Sequence, residues 1–174
     1  YGFKSLTING GAELNLNGAT VSVNELSIDG YANGVYGSGN LNVKNLILTN
    51  GGRLLDANVT VYNKLVASVY SDAAITAKFQ PHYLNELTLS SMSNMTLQTG
   101  NWTIKSINLT DQSKLRQNGV VTLKSYAMNI RNQGSLNDST DRKNLAVTLY
   151  QTLYVSDNGY INGYLTAHYL ASFN

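Results

Sequence analysis

Hydrophobic and polar residues alternate in short runs along the whole chain, and corners rich in Asn and Gly separate these runs. The first unit, residues 6–25, contains three such runs, whose hydrophobic positions are Leu6, Ile8, Leu14, Leu16, Val21 and Val23. Alternation with a period of two indicates half-buried strands that point these side chains to one side. Asn and Gly suit the corners because they tolerate left-handed backbone conformations. The pattern predicts three short strands in each unit and no helix of useful length.

A six-residue pattern of alternating hydrophobic and polar positions recurs at intervals of 18 to 26 residues. Its copies begin at Val21, Leu41, Val59, His82, Trp102, Val121, Val147 and Leu165. A period near 20 that carries a strand pattern in every copy is typical of a solenoid. Because no crossover helix is available to join parallel strands in a flat sheet, each strand must pair with its equivalent one coil later. We therefore predict an all-β fold, a single-stranded parallel β-helix with three sides and right-handed coiling.

The predicted solenoid covers residues 1–174 as one continuous segment of about eight coils, each of ~20 residues. An antiparallel β-sandwich also has frequent short strands, but it does not require a repeat in which the strands keep a constant phase. The chain starts at Tyr1 without a Met, and residues 170–174 read as the beginning of another repeat. We expect a processed chain or an excerpt of a longer protein.

Two coils are longer than the others and contain candidate insertions. One includes Phe79-Gln-Pro-His-Tyr83, and the other includes a polar stretch at residues 133–144. Insertions in a solenoid project from one face and often carry its binding function. A tolerated surface loop is the simpler interpretation of either insertion taken alone.

The composition narrows the class of protein. Only 13% of the residues are charged and 43% are hydrophobic, a balance that predicts an ordered chain. The net charge is +2 and no run of Lys or Arg occurs, so we expect no binding to nucleic acid. The absence of Cys excludes disulfides and cysteine-ligated metals. No apolar run is long enough for a transmembrane helix.

The acidic residues do not form the pairs that a carbohydrate-active β-helix would need. Glycoside hydrolysis uses two carboxyl groups roughly 5 to 10 Å apart, which means equivalent positions on neighbouring coils. Glu25 and Glu86 share a phase but lie three coils apart, and Asp138 and Asp141 are close only within an insertion. The two histidines are about four coils apart and cannot share a metal. We therefore expect no catalytic residues, no metal site, no cofactor and no enzymatic activity.

The outward positions of the repeat form two predicted columns. The first runs along one face and contains Ser22, Asn42, Thr60, Tyr83, Thr103, Thr122, Thr148 and Thr166. The second lies at a corner and contains Asn24, Lys44, Tyr62, Asn85, Lys105, Lys124, Tyr150 and His168. Strand propensity and stacked Asn ladders account for most of this pattern.

The insertions and the tyrosines near the C-terminus are the best candidates for contact with a partner protein or a glycan. The candidate residues are Tyr83, Asp138, Asp141, Arg142, Tyr150, Tyr154, Tyr160 and Tyr164. Some of the tyrosine rings could equally fill or cap the hydrophobic core.

The Asn- and Gly-rich coils, such as residues 6–16 and 46–55, resemble the passenger domains of autotransporters. They are also similar to filamentous-haemagglutinin-type adhesins of Gram-negative bacteria. The resemblance covers nearly the whole chain and lies in period and style, without a specific motif. It implies a secreted rod at the bacterial cell surface that holds adhesive or toxic elements away from the outer membrane.

The sequence leads us to expect a non-enzymatic, surface-exposed stalk that serves adhesion or display. Its partner would be a host or cell-surface protein or glycan. One alternative is a self-assembling structural protein, such as a bactofilin-like filament or an extracellular sheath, whose partner is another copy of the chain. A polysaccharide-active enzyme or a phage tailspike fragment is a third alternative.

Overall fold

Parallel β-strands make up most of the protein, as seen in a computed structural model that describes residues 2–30, 34–70, 74–137, 144–168 and 171–173. For residues 171–173 only the backbone is described. The strands are β1 (Gly2–Ile8), β2 (Glu13–Asn15), β3 (Thr20–Asp29), β4 (Gly34–Tyr36), β5 (Asn40–Thr49), β6 (Asn58–Ser68), β7 (Lys78–Phe79), β8 (Tyr83–Ser90), β9 (Asn94–Leu109), β10 (Lys114–Ile130), β11 (Ser135–Leu136), β12 (Leu145–Val155), β13 (Tyr160–Ile161), β14 (Tyr164–Ala167) and β15 (Ala171–Phe173). No α-helix occurs among the described residues.

The strands stack in three sets, because each coil contributes a segment to each of three faces. The first face contains residues 2–3, 20–23, 40–43, 58–61, 83–84, 100–104, 121–125, 145–149 and 164–167. The second face contains residues 5–8, 25–29, 45–49, 64–68, 86–90, 106–109, 127–130, 152–155 and 171–173. The third face is made of short pairings, among them 13–15 with 34–36 and 94–98 with 114–118. Every pairing is parallel and joins residues about one coil apart, which confirms the predicted β-solenoid of about eight coils.

The hydrophobic core runs along the axis of the solenoid as stacks of similar side chains. On the second face one stack places Leu26, Leu46, Leu65, Leu87, Ile107, Met128 and Leu153 directly above one another, all at most 1% exposed. Full burial of one such side chain stabilises the fold by about 1.5–3 kcal/mol. Each coil therefore depends on the coils above and below it, as in other repeat folds.

The register of β10 differs from the sequence prediction. The backbone pairing sets Lys124 beside Thr103, so Lys124 takes the place in the first-face column that was predicted for Thr122. Tyr126 consequently occupies the corner position that was predicted for Lys124. The spacing between paired residues of β9 and β10 is 20 for Gln98 with Asn118 and 21 for Gly100 with Val121, whereas the predicted copies at Trp102 and Val121 are 19 residues apart. A slip of two residues keeps every side chain on its own side of the strand, so the alternation of hydrophobic residues cannot detect it.

Left-handed β-turns connect the second face to the third in successive coils. Their two central residues both have positive φ, and they are Ser91–Met92, Asp111–Gln112, Asn132–Gln133 and Asp157–Asn158. In one of these turns, the Ser113 N–H donates to the Thr110 carbonyl oxygen at 3.0 Å. The Gln112 N–H donates to the carbonyl oxygen of Asn132 in the next coil at 2.9 Å. Backbone bonding between coils therefore continues through the corner, where few polar groups are left without partners.

The residue that follows each of these turns must be small. It is Ser93 or Ser113 in two coils, both fully buried, and Gly134 or Gly159 in the next two. A Cβ on Gly134 would lie 2.4 Å from the Leu109 carbonyl oxygen of the preceding coil, which is a backbone atom.

We predict that Gly134→Ala lowers the free energy of unfolding by about 2 kcal/mol, because the added methyl group forces two coils apart. Gly2→Ala is the matched control, since a Cβ there meets nothing within 4 Å and the backbone φ is not positive. Urea denaturation followed by circular dichroism measures both. Equal stability of the two variants would contradict the proposed role of this corner.

A ladder of side-chain amides stacks along the corner between the first and second faces. Asn45 donates to Glu25 at 2.7 Å, Asn63 donates to Asn45 at 2.6 Å, and Asn85 donates to Asn63 at 2.7 Å. The sequence predicts stacked amides at a corner, but of the residues in this ladder only Asn85 belongs to the predicted corner column. Each interior amide both donates and accepts, so one substitution breaks two bonds.

We predict that Asn63→Ala lowers the free energy of unfolding by about 1 kcal/mol, since two partly exposed hydrogen bonds are lost. Asn24→Ala is the control, because Asn24 makes no side-chain hydrogen bond within the described residues. Thermal unfolding of both variants checks the prediction, which fails if the control is destabilised as much as Asn63→Ala.

Candidate binding surface

Three of the sequence-predicted site residues, Asp138, Asp141 and Arg142, lie outside the described residues. Tyr83 lies on the first face, in register with Thr103, and its hydroxyl donates to the Asn85 Oδ1 at 2.9 Å. The neighbouring Phe79 is buried in the core and pairs with Val59, so this end of the segment 79–83 belongs to the solenoid wall.

The tyrosines near the C-terminus do not form one patch. Tyr164 lies on the first face in register with Ala146, and Tyr154 lies on the second face in register with Asn129. Tyr160 is on the third face, in register with Ser135. Tyr150 follows the first-face segment and lies at the corner before the second face. Of these four tyrosines, only Tyr150 contacts another aromatic ring among the described residues.

Aromatic rings stack at the corner between the first and second faces. The ring centroids of Tyr126 and Tyr150 are 5.4 Å apart, and those of Tyr150 and His168 are also 5.4 Å apart, with an interplanar angle of 6° for the second pair. Nearer the N-terminus, Tyr62 contacts His82 edge-on at 4.7 Å. Sequence reasoning placed Tyr62, Tyr150 and His168 at this corner and missed Tyr126, because the register of β10 was two residues off.

Lysine side chains lie at this corner and on the first face next to it. Lys4 and Lys44 lie at the corner in the N-terminal half, and Lys105 lies there beside Tyr126 in the C-terminal half. Lys124 lies on the first face in register with Thr103, two residues before Tyr126. None of these four lysines forms an ion pair within the described residues. We call this surface the lysine–aromatic ridge, and it consists of Lys4, Lys44, Tyr62, Lys105, Lys124, Tyr126, Tyr150 and His168.

Three acidic side chains lie at another corner. Asp29, Asp111 and Asp157 all lie where the second face meets the third. On the second face itself, the one ion pair among the described residues joins Lys64 to Glu86 at 3.0 Å, with both side chains partly exposed. Arg131 lies at the same corner as the three aspartates, directly before the Asn132–Gln133 turn, and Glu25 lies at the corner between the first and second faces, so neither corner carries charge of one sign alone.

A shallow groove of about 620 Å³ adjoins the N-terminal half of the ridge. Ser22 and Asn42 form its floor on the first face, and Lys44 and Tyr62 form its rim. An open groove with hydroxyl, amide, ammonium and phenol groups can hold an extended polar ligand, but it encloses too little to exclude water from a reaction.

The described residues do not bring together the groups of a familiar catalytic or metal site. They contain no group of three or more His, Cys, Asp and Glu side chains that could hold a metal. Glu25 and Glu86 occupy the same column of the second face, three coils apart. Their separation is on the order of 14 Å, beyond the spacing that glycoside hydrolysis uses. The described residues contain no helix that is long and apolar enough to cross a membrane.

Asp29 is the acidic side chain that the structure perturbs most clearly. The Thr49 hydroxyl donates to its carboxylate at 2.7 Å and the Asn50 amide donates at 2.8 Å. These bonds favour the charged form, so the pKa of Asp29 lies below its ordinary value of 3.8, and the hydrogen bond from Thr49 is the largest cause.

We predict that Asp29 makes the stability of the protein pH-dependent in acid. Because its folded pKa is lowered, its contribution is complete above pH 3.8 and is lost as the pH falls through the lowered pKa. Chemical denaturation between about pH 5 and pH 2 should show a flatter pH dependence for Asp29→Asn than for the unmodified chain. Thr49→Val should flatten it as well, and identical slopes in all three proteins would refute the assignment.

Comparison with known proteins found no similar protein. No family model matches the chain, and neither the curated proteins nor the solved structures provide a match.

Proposed function

We propose that this chain is a non-enzymatic stalk of a secreted bacterial protein, displayed at the cell surface, and that it adheres to a partner through the lysine–aromatic ridge. The partner is a host or cell-surface protein or glycan with negative charge. The observation that carries the proposal is the ridge, where four lysines without ion pairs in the described chain stand beside exposed aromatic rings.

The arrangement of the ridge favours contact with a partner over a purely structural role. Lysine ammonium groups that only keep a protein soluble do not have to lie close together. A row of them attracts an anionic surface and speeds association with it. The rings of Tyr126 and Tyr150 add apolar contact area with few rotatable bonds, so little conformational entropy is lost on binding. Stacking on neighbouring coils holds these rings in place before a ligand arrives.

The solenoid is well suited to display. Eight coils at about 4.8 Å each make a rod on the order of 40 Å long. Its stability comes from the stacked interior, so outward residues are free to serve recognition. Ridge residues that are far apart in sequence meet the same partner simultaneously, which increases the apparent affinity.

The triple variant Lys44→Gln, Lys105→Gln, Lys124→Gln tests the proposal. We expect it to bind cells bearing anionic surface groups about tenfold more weakly than the unmodified chain, since each exposed charge pair contributes up to about 1 kcal/mol. Binding of the unmodified chain should also fall with added salt. Flow cytometry with the labelled, purified chain measures both effects, and treating the cells with protease or with glycosidases separates a protein partner from a glycan.

The matched control removes three positive charges away from the ridge. Arg53, Lys78 and Arg131 are exposed, lie off the ridge, and form no side-chain hydrogen bond or ion pair within the described residues. Their triple Gln variant has the same net charge as the ridge variant and should bind like the unmodified chain. Equal loss in the two triple variants, or no binding by the unmodified chain, would refute the proposal. Concentration-dependent filaments seen by sedimentation would instead support the self-assembling alternative.

A further inference from the structure

The second face carries a groove that is separate from the lysine–aromatic ridge. It has a volume of about 460 Å³ and spans four consecutive coils. One outward column of this face runs through Glu86, Ser106, Ala127 and Thr152. Ser106 and Ala127 are the smallest members of the column, so the surface sinks between the longer side chains of Glu86 and Thr152.

The adjacent column supplies the wall of the groove with amides and an aromatic ring. It contains Asn108, Asn129 and Tyr154 in register. The Asn129 amide nitrogen donates to the Asn108 Oδ1 at 3.1 Å, while the Asn129 Oδ1 has no hydrogen-bond partner within the described residues. The Asn108 amide nitrogen also has no partner there. Tyr154 ends this short ladder, and its side chain is 37% exposed at the edge of the groove.

The chemistry of the groove matches a sugar ring better than a peptide. An exposed tyrosine ring offers a flat apolar surface to the C–H face of a pyranose. Planar amides donate to and accept from pairs of hydroxyl groups on such a ring, and a carboxylate accepts from them. The two large aliphatic residues that line the groove, Ile107 and Met128, are each only 1% exposed, so an apolar peptide side chain would gain little there.

The local charge favours a neutral sugar over an acidic one. Glu86 is the only charged side chain among the described residues that line the groove, and it forms an ion pair with Lys64 at 3.0 Å. No lysine or arginine of the described chain lines the groove to pair with a sulfate or a carboxylate. An acidic sugar would bring its charge towards Glu86 without compensation.

We propose that this groove is a binding subsite for a neutral oligosaccharide, with one pyranose ring stacked on Tyr154 and its hydroxyl groups bonded to Asn108 and Glu86. The ligand chain lies along the rod axis, because the groove extends across successive coils. This subsite goes beyond the proposed adhesive function and does not depend on the ridge, since the two surfaces share no residue.

A panel of neutral gluco-, galacto- and manno-configured oligosaccharides tests the subsite, with saturation-transfer NMR and titration as readouts. We expect at least one member to bind, with transfer to the C–H face of one ring. Tyr154→Ala should weaken binding at least tenfold, and Tyr154→Phe should stay close to the unmodified protein because it keeps the ring. Ala127→Leu should block binding by filling the floor of the groove. Circular dichroism confirms that each variant is folded.

Two controls make the test specific. Tyr164→Ala removes a tyrosine that is 62% exposed on the first face, and it should leave binding unchanged. The triple ridge variant at Lys44, Lys105 and Lys124 should also bind the neutral sugar normally, so failure of the subsite and failure of the adhesive ridge are distinguishable. The proposal is overturned if no neutral oligosaccharide binds, if only acidic glycans bind, or if Tyr164→Ala weakens binding as much as Tyr154→Ala.

Discussion

Parallel backbone pairing between consecutive coils is the constraint on which the rest of the structure depends. Each strand bonds to its equivalent in the next coil, so any inward residue must fit directly against its counterparts. This requirement explains the buried stack that begins with Leu26, Leu46 and Leu65. It also explains Gly134 and Ser113, since a corner bonded to both neighbouring coils leaves no room for a larger side chain.

The same pairing builds the outer surface. Residues that are about 20 positions apart become neighbours, so single lysines in separate coils lie at one corner and on the first face next to it without any local run of charge. The groove on the second face has a similar origin, because Ser106 and Ala127 are small at positions where the adjacent coils carry Glu86 and Thr152. On such a rod, a recognition surface arises where one coil differs from its neighbours in side-chain size or in register.

Much of the interior could be predicted from the repeat, and less of the surface. The copies of the six-residue pattern that begin at Val21, Leu41 and Val59 pair with one another as predicted. In β10 after Val121 the predicted register is wrong by two residues, and it is correct again in β12, where Thr148 pairs with Thr166. Tyr154, Tyr160 and Tyr164 could not be assigned to faces, since their placement depends on the lengths of the corners between strands.

The sequence by itself determined that this protein is a parallel β-solenoid, because alternation along a strand and a repeat of constant phase are local properties of the chain. Only the tertiary structure decided which side chains share a surface. A slip of two residues leaves burial unchanged and so is invisible to the hydrophobic pattern, yet it moves Tyr126 onto the ridge and Lys124 beside Thr103. Backbone hydrogen bonding between coils selects that register, and it acts between residues that are far apart in the sequence.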